Sequence, residues 1–215
     1  MDVSRPADSV RRGKSFRPQD IRGHRKYASG SDCRPDACSG VTASIGYGWA
    51  LLEYRLPDGR RQVLQVLGHG DIVGADLFVG LDQAYGLVAL TDLCLEVLPS
   101  DWADHHGLEL LSAFNQRLCR HAVRLGRLSA PERLADFLLE QAERCDPTAN
   151  GTAAFELPLS QGVLADVLGL STVHINRCLQ DLRQRQLVSF RSGWLTIHSL
   201  RGLRLAAGGA GLLDH

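Results

Sequence analysis

"LPLSQGVLADVLGLSTVHINRCLQDLR", Leu157 to Arg183, holds two short apolar-periodic runs on either side of a glycine. Ser160 and Ser171 stand just ahead of those runs, where a hydroxyl can accept from the first unpaired backbone amides, so two short helices are predicted. With Gln161 as the first residue of the pair, small Ala165 falls where the helices must touch. Gly169 falls in the turn, where a positive φ is needed. Leu164, Leu168, Leu170, Ile175, Cys178 and Leu179 then close a small core, and free Cys suits such a place. Ser171, Thr172, Val173, Asn176, Arg177 and Gln180 are left facing outward. Donors and acceptors on one face of a helix suit the major groove of DNA, where an arginine can grip guanine O6 and N7 together.

Working outward, "LVSFRSGWLTI" (Leu187 to Ile197) has two β-prone runs around "RSG" and reads as a hairpin, or wing. Upstream, "APERLADFLLEQAERC" reads as an amphipathic helix with Pro131 near its first turn and Leu134, Phe137, Leu138 and Ala142 on one face. A polar, glycine-containing loop is expected between that helix and Ser160. Further back, Leu111, Phe114, Leu118, His121, Leu125 and Leu128 alternate by three and four residues. That is the a/d seam of a two-stranded coil, so a long helix is expected to dimerise through Leu111, Phe114, Leu118, His121 and Leu125. The other reading is a single helix packed on its own β domain. From Trp49 to Val73, runs such as "WALLEYRL" and "RQVLQVL" are separated by "PDGR" and "GHGD", and "LVALTDLCLEVLP" ends at Pro99. These predict antiparallel strands joined by tight turns. Gly30 to Gly46 carries little strand signal.

The 215 residues suffice for two small domains, and 44% hydrophobic with 22% charged residues exclude a wholly disordered chain. No apolar run approaches membrane-spanning length and no secretory signal is visible, so the expected location is the cytoplasm and the six cysteines are expected to be reduced. The zero net charge hides segregation. Residues 1–30 carry +5 and read as a basic arm, residues 46–110 carry −7, and residues 171–204 hold six Arg against Asp181 alone. Only the two ends suit a polyanion.

In this order, a β-roll with "LPDGRRQVLQVLGHGDIVG", a dimerising helix, "PERLADFLL" and the winged pair of helices, the chain from about residue 46 to 204 resembles the family of the cyclic-AMP receptor protein and the fumarate and nitrate reduction regulator. These are bacterial dimeric transcription factors. The resemblance implies an α+β fold: an N-terminal antiparallel β-roll of the cupin-like jelly-roll type, a long dimerisation helix and a C-terminal winged helix-turn-helix. It divides the chain into a basic arm (1–24), a sensor (25–106), the dimerisation helix (107–129), the DNA-binding domain (130–204) and a tail (205–215). It makes Arg177 the base-reading arginine within a recognition helix at 171–186, with Ser171, Thr172, His174 and Asn176 where the family contacts bases or phosphates. Val173 stands where many members have Glu, which accepts from cytosine, so the half-site should differ from the best-known consensus.

Family members that bind cyclic nucleotides pair the phosphate with an arginine after the "GD..G" turn. Here "GADLFVGLDQAYGLVAL" has no Arg or Lys, and none occurs between Arg61 and Leu98, so cyclic AMP is not expected. The oxygen-sensing branch holds an iron-sulfur cluster on four cysteines. Cys33, Cys38 and Cys94 are the residues here that could serve as cluster ligands, as a thiol redox switch, or as ordinary reduced thiols, and one N-terminal cysteine is missing. Cys119 would be a poor fourth. A haem ligated by histidine is a further possibility that no spacing selects. The reading is a homodimeric, sequence-specific DNA-binding regulator acting on a palindromic site, with double-stranded DNA and RNA polymerase as partners and an unidentified signal sensed by the β-roll. It is not read as an enzyme, since no nucleophile-base set stands out. The alternatives are a gas-responsive regulator, or a ligand- or redox-sensing module whose helix-turn-helix serves protein contacts; steep salt dependence of duplex binding would separate that last reading from the first.

Overall fold

The computed structural model describes residues 20–33, 41–74 and 85–209. Seven strands come first: β1 (Gly23–Tyr27), β2 (Thr42–Tyr47), β3 (Ala50–Arg55), β4 (Arg61–Leu67), β5 (Ile72–Gly74), β6 (Tyr85–Ala89) and β7 (Leu93–Val97). They form two antiparallel sheets, one ordered β1-β7-β2-β5 and the other β4-β3-β6. Ala43, Ile45, Ala50, Leu52, Leu87, Leu93 and Leu95 from both sheets enclose one core.

Strand β3 explains why "WALLEYRL" shows no clean alternation. Ala50 and Leu52 enter the core between the sheets, while Leu51 points the other way and joins Trp49, Val63 and Val66 in a second core that extends into the C-terminal helices. A strand covered on both faces needs apolar residues at successive positions. Gly48, φ +88°, stands at the turn into β3. A Cβ there would lie 2.1 Å from the Asp92 carbonyl oxygen, so backbone passes backbone where only glycine fits.

Strands β1 and β2 lie in the stretches whose sequence signal was weakest. "GHRKY" is an edge strand paired only with β7, and its charged residues suit an edge that must not recruit another chain. The end of the stretch read as a basic arm is therefore ordered strand from Gly23 onward.

Helix α1 (Trp102–Arg127) is a single rod of 26 residues. Leu128 turns the backbone extended, and Ser129 opens α2 (Ala130–Cys145) with a reciprocal capping box to Glu132 and Pro131 in the first turn. The expected loop after α2 contains β8 (Ala153–Glu156), whose alternating burial is visible only once its partner is known. Helices α3 (Gln161–Leu168) and α4 (Thr172–Gln184) follow, then β9 (Val188–Arg191), β10 (Trp194–Ile197) and α5 (Leu200–Ala206). β10 pairs with both β8 and β9, so the wing is one hairpin of a three-stranded sheet. Among the described residues, no helix is long and apolar enough to cross a membrane.

Candidate nucleic-acid interface

The helix pair is set by local chemistry. The Ser160 hydroxyl accepts from the Val163 amide at 3.2 Å and starts α3. Gly169 ends it at φ 61°, ψ 39°, the left-handed conformation that a β-carbon disfavours. The Ser171 hydroxyl accepts from the His174 amide at 3.3 Å and also contacts His174 Nδ1 at 3.1 Å, so both side chains are engaged in capping α4. Val163, Leu164, Ala165 and Leu168 pack against Ile175, Cys178, Leu179 and Leu182. Burial pushes the Cys178 thiol up, which keeps it protonated and apolar in character.

The outward residues are where the spacing places them. Thr172, Val173, His174, Arg177 and Gln180 are exposed, Val173 to 68%. Asn176 differs: it is half-buried, and its amide donates to Gln161 Oε1 at 3.3 Å, tying α4 to the start of α3. Arg177 makes no ion pair with a carboxylate among the described residues, and its guanidinium stands free at the helix surface.

The structure adds residues that the sequence reading did not single out. Arg183 Nη2 donates to the Phe190 carbonyl at 3.1 Å and joins α4 to the wing. Between them lies a cleft of about 810 Å³ lined by Arg183, Gln186, Ser189, Arg191 and His198. Its lining has no carboxylate. The excess of arginine over acid in residues 171–204 was the signal for it.

Several arginines elsewhere are neutralised by carboxylates. Arg120 Nη2 and Arg124 Nε donate to the two oxygens of Asp136 at 2.9 and 2.6 Å, while Arg124 also meets Glu140 and Arg120 meets Glu143. Arg124 is 2% exposed and lies over the Phe137 ring at 5.6 Å. Asp71, from the "GHGD" turn, accepts from Arg117 of α1 and from Arg144 of α2. The N-terminal sheets, the long helix and the C-terminal domain are thereby pinned to one another by ion pairs.

The expected seam residues separate on α1. Leu111 is 53% exposed. Phe114 packs against the N-terminal core, Leu118 and Leu125 are half-buried, and His121 is 6% exposed within its own chain. Burial first, and Arg124 second, hold the His121 imidazole down to about 4. The outward face is instead lined by Leu108, Leu111, Asn115, Cys119, Ala122 and Gly126.

Cys33 and Cys94, the described cysteines of the N-terminal domain, make poor cluster ligands. Cys33 is fully buried, its thiol donates to the Leu87 carbonyl, and burial pushes it up to about 12. Cys94 is 4% exposed on β7 and is also pushed up, mainly by burial. A cluster needs thiolates that can be reached. Cys38 and residues 75–84, most of the cassette stretch, lie outside the described residues. Among the described residues no group of three or more His, Cys, Asp or Glu is placed to hold a metal ion.

Residues 132–206 match the model of the Crp-like helix-turn-helix domain. The chain is 31% identical over 146 residues to the nitrogen fixation regulation protein FixK of Rhizobium meliloti, a span covering 66% of each protein. It is 32% identical over 164 residues to the transcriptional activator protein FnrL of Cereibacter sphaeroides, covering 68% of this chain and 64% of that one. The matched spans thus take in just under two thirds of these relatives' own lengths. In fold the chain is similar to FixK2 from Bradyrhizobium japonicum, with a TM-score of 0.71 at 20% identity over 86% of this chain and 96% of that one. Helix-turn-helix, wing, long helix and paired antiparallel sheets occur in the order of that fold, and the chain belongs to the Crp/Fnr family of DNA-binding transcriptional regulators.

Proposed function

We propose that this chain regulates transcription as a homodimer on a palindromic DNA site, placing α4 and the residues flanking it, 171–186, in successive major grooves. The observation that carries the reading is the outward face of α4. Thr172, Val173, Arg177 and Gln180 are exposed together, and Arg177 has no carboxylate partner among the described residues. An unneutralised guanidinium on a rigid helix is suited to guanine. Ser171 and His174, held by their capping contacts, present the helix start to a backbone phosphate. Asn176 acts through its bond to Gln161, orienting the helix as much as reading a base. Val173 offers a methyl surface and selects against a site that needs a carboxylate at cytosine.

The dimer forms through the outward face of α1. Leu108, 83% exposed, and Leu111 supply apolar contact, and Ala122 and Gly126 allow close approach. The N-terminal sheets sense a signal that is neither cyclic AMP nor a gas at an iron-sulfur cluster. RNA polymerase is the protein partner, the cytoplasm the location, and no catalysis is involved.

Selection of a binding site from random duplexes, followed by titration at fixed salt, tests this reading. Arg177→Ala should relax preference at one base pair in each half-site. Uniform loss across the selected palindrome and its single-base alternatives would make Arg177 a backbone anchor only. For the dimer, Leu108→Glu with Leu111→Glu should halve the mass in sedimentation, and an unchanged mass would refute this interface.

A further inference from the structure

The first helix of the motif is finished by residues outside the motif. α3 ends at Leu168, and the carbonyls of Asp166, Val167 and Leu168 have no partner within the helix, as at any helix end. Gln62, on strand β4 of the N-terminal sheets, reaches the first two: its Nε2 lies 2.8 Å from the Asp166 oxygen and 3.0 Å from the Val167 oxygen, and its two hydrogens are shared with the Val63 oxygen at 3.0 Å. Arg133 of α2 supplies the third, Nη1 to Leu168 O at 3.2 Å. Beside them Arg61 Nε donates to Asp166 Oδ2 at 2.7 Å while its Nη1 donates to Glu53, a fully buried carboxylate of β3, at 2.9 Å.

The turn itself rests on the same groups. A Cβ built on Gly169 would meet Leu125 of α1 at 3.5 Å, Arg133 at 3.8 Å and Gln62 Oε1 at 4.0 Å. Gln62 Nε2 also lies 3.4 Å from Nε2 of His121 on α1. The residue that sets where α4 begins thus has beside it one side chain each from α1, α2 and strand β4. The recognition face of α4 points away from this seat, with Val173 and Arg177 exposed.

We infer that Gln62 is a positioning residue for DNA recognition, with Arg61 holding it in register: strand β4 completes α3 from outside and so fixes the turn from which the recognition helix leaves. A shift of β4 relative to α1 would loosen that turn without touching any residue that meets DNA. The inference rests on the reading of α4 as the DNA-contacting helix.

Three full-length variants test it. Gln62→Leu removes the donor at similar size. Gln62→Lys returns a donor to the helix end, where a cation is also favoured. Asp166→Asn weakens the Arg61 contact without baring Glu53, and since Asp166 is half-buried it keeps the test open if Gln62→Leu does not fold. Affinities are measured for the selected palindrome and an unrelated duplex of equal length, with amide exchange followed over residues 161–172. Gln62→Leu should lose roughly tenfold on the palindrome, about 1.4 kcal/mol, and far less on the unrelated duplex, with faster exchange at the turn. Gln62→Lys should stay within about twofold of wild type, since the donor is kept. Asp166→Asn should fall between them. Unchanged or tighter binding by Gln62→Leu and Asp166→Asn overturns the inference, the latter by making the contact inhibitory. Arg177→Ala in parallel separates the two readings: if it abolishes base preference while Gln62→Leu does nothing, only the positioning role is lost; if neither variant changes base preference, both are lost.

Discussion

Arginine is placed in opposite surroundings at two points in this molecule. At the junction of α1 and α2, Arg124 is 2% exposed, shares Asp136 with Arg120 and meets Glu140. On α4, Arg177 is exposed and carries its charge unpaired. A buried guanidinium must be neutralised within the fold, because an unpaired charge out of water costs several kcal/mol. An arginine meant for a polyanion must not be neutralised there, since an internal carboxylate would compete with phosphate and base. At these two places the carboxylate beside the guanidinium, or its absence, separates a buried arginine from an exposed one.

The contrast breaks most readily at Asp136. Asp136→Ala leaves two guanidinia deprived of a shared carboxylate and should cost roughly 3 to 5 kcal/mol of stability, read from denaturant midpoints. A loss below about 1 kcal/mol would mean that Glu140 and Glu143 suffice alone.

The next effect is a pH dependence at the same junction. His121 is held down to about 4 from an ordinary 6.5, chiefly by burial and then by Arg124, with Glu140 opposing. The unfolded chain takes up the proton as pH falls through 6.5, whereas the folded chain refuses it until about 4. This contribution is therefore complete above pH 6.5 and is lost on going down toward 4, by on the order of 3 kcal/mol in all. Melts of wild type and His121→Gln across that window should converge at the acid end. Parallel pH profiles would show that His121 does not carry the difference.

Arg177→Ala sharpens the contrast from the other side. It should remove about 1 to 3 kcal/mol of binding per half-site at one base pair. Folding should change by less than about 0.5 kcal/mol, because an exposed helical position accepts Ala well. A fall in melting temperature comparable to that of Asp136→Ala would show that Arg177 is structural after all.

The smallest effect lies at Arg185, which meets Asp181 at 3.3 Å on the surface of α4 with both side chains about half exposed. Arg185→Gln should change stability by no more than about 0.5 kcal/mol. A larger loss, measured in the same melts, would mean that surface pairs on this helix matter more than their exposure allows.

The helix pair was readable residue by residue, because capping serines, a left-handed glycine and the inward set Leu164, Ile175, Cys178 and Leu179 all act within a few residues of one another. Strands β1, β2 and β8 were not, because an edge or short strand is held by its partner's backbone more than by its own composition. The ion-pair junction left a trace that went unused. Arg117, Arg120 and Arg124 recur at helical spacing, as do Asp136, Glu140 and Glu143 on the next helix, but spacing alone does not say that the two stripes face each other.

The sequence by itself determined the motif, the wing and the existence of a long amphipathic helix, since each follows from periodicity and turn chemistry within a single element. Only the tertiary structure decided which face of α1 the chain covers with its own residues. The 3-4 repeat of Phe114, Leu118, His121 and Leu125 marks a stripe that must leave water, and burial is indifferent to whether the covering surface is a second chain or the chain's own strand β4. The hydrophobic effect has no direction. Direction came from the polar contacts that do: Gln62 to the end of α3, Asp71 to Arg117 and Arg144, and Asp136 to Arg120 and Arg124.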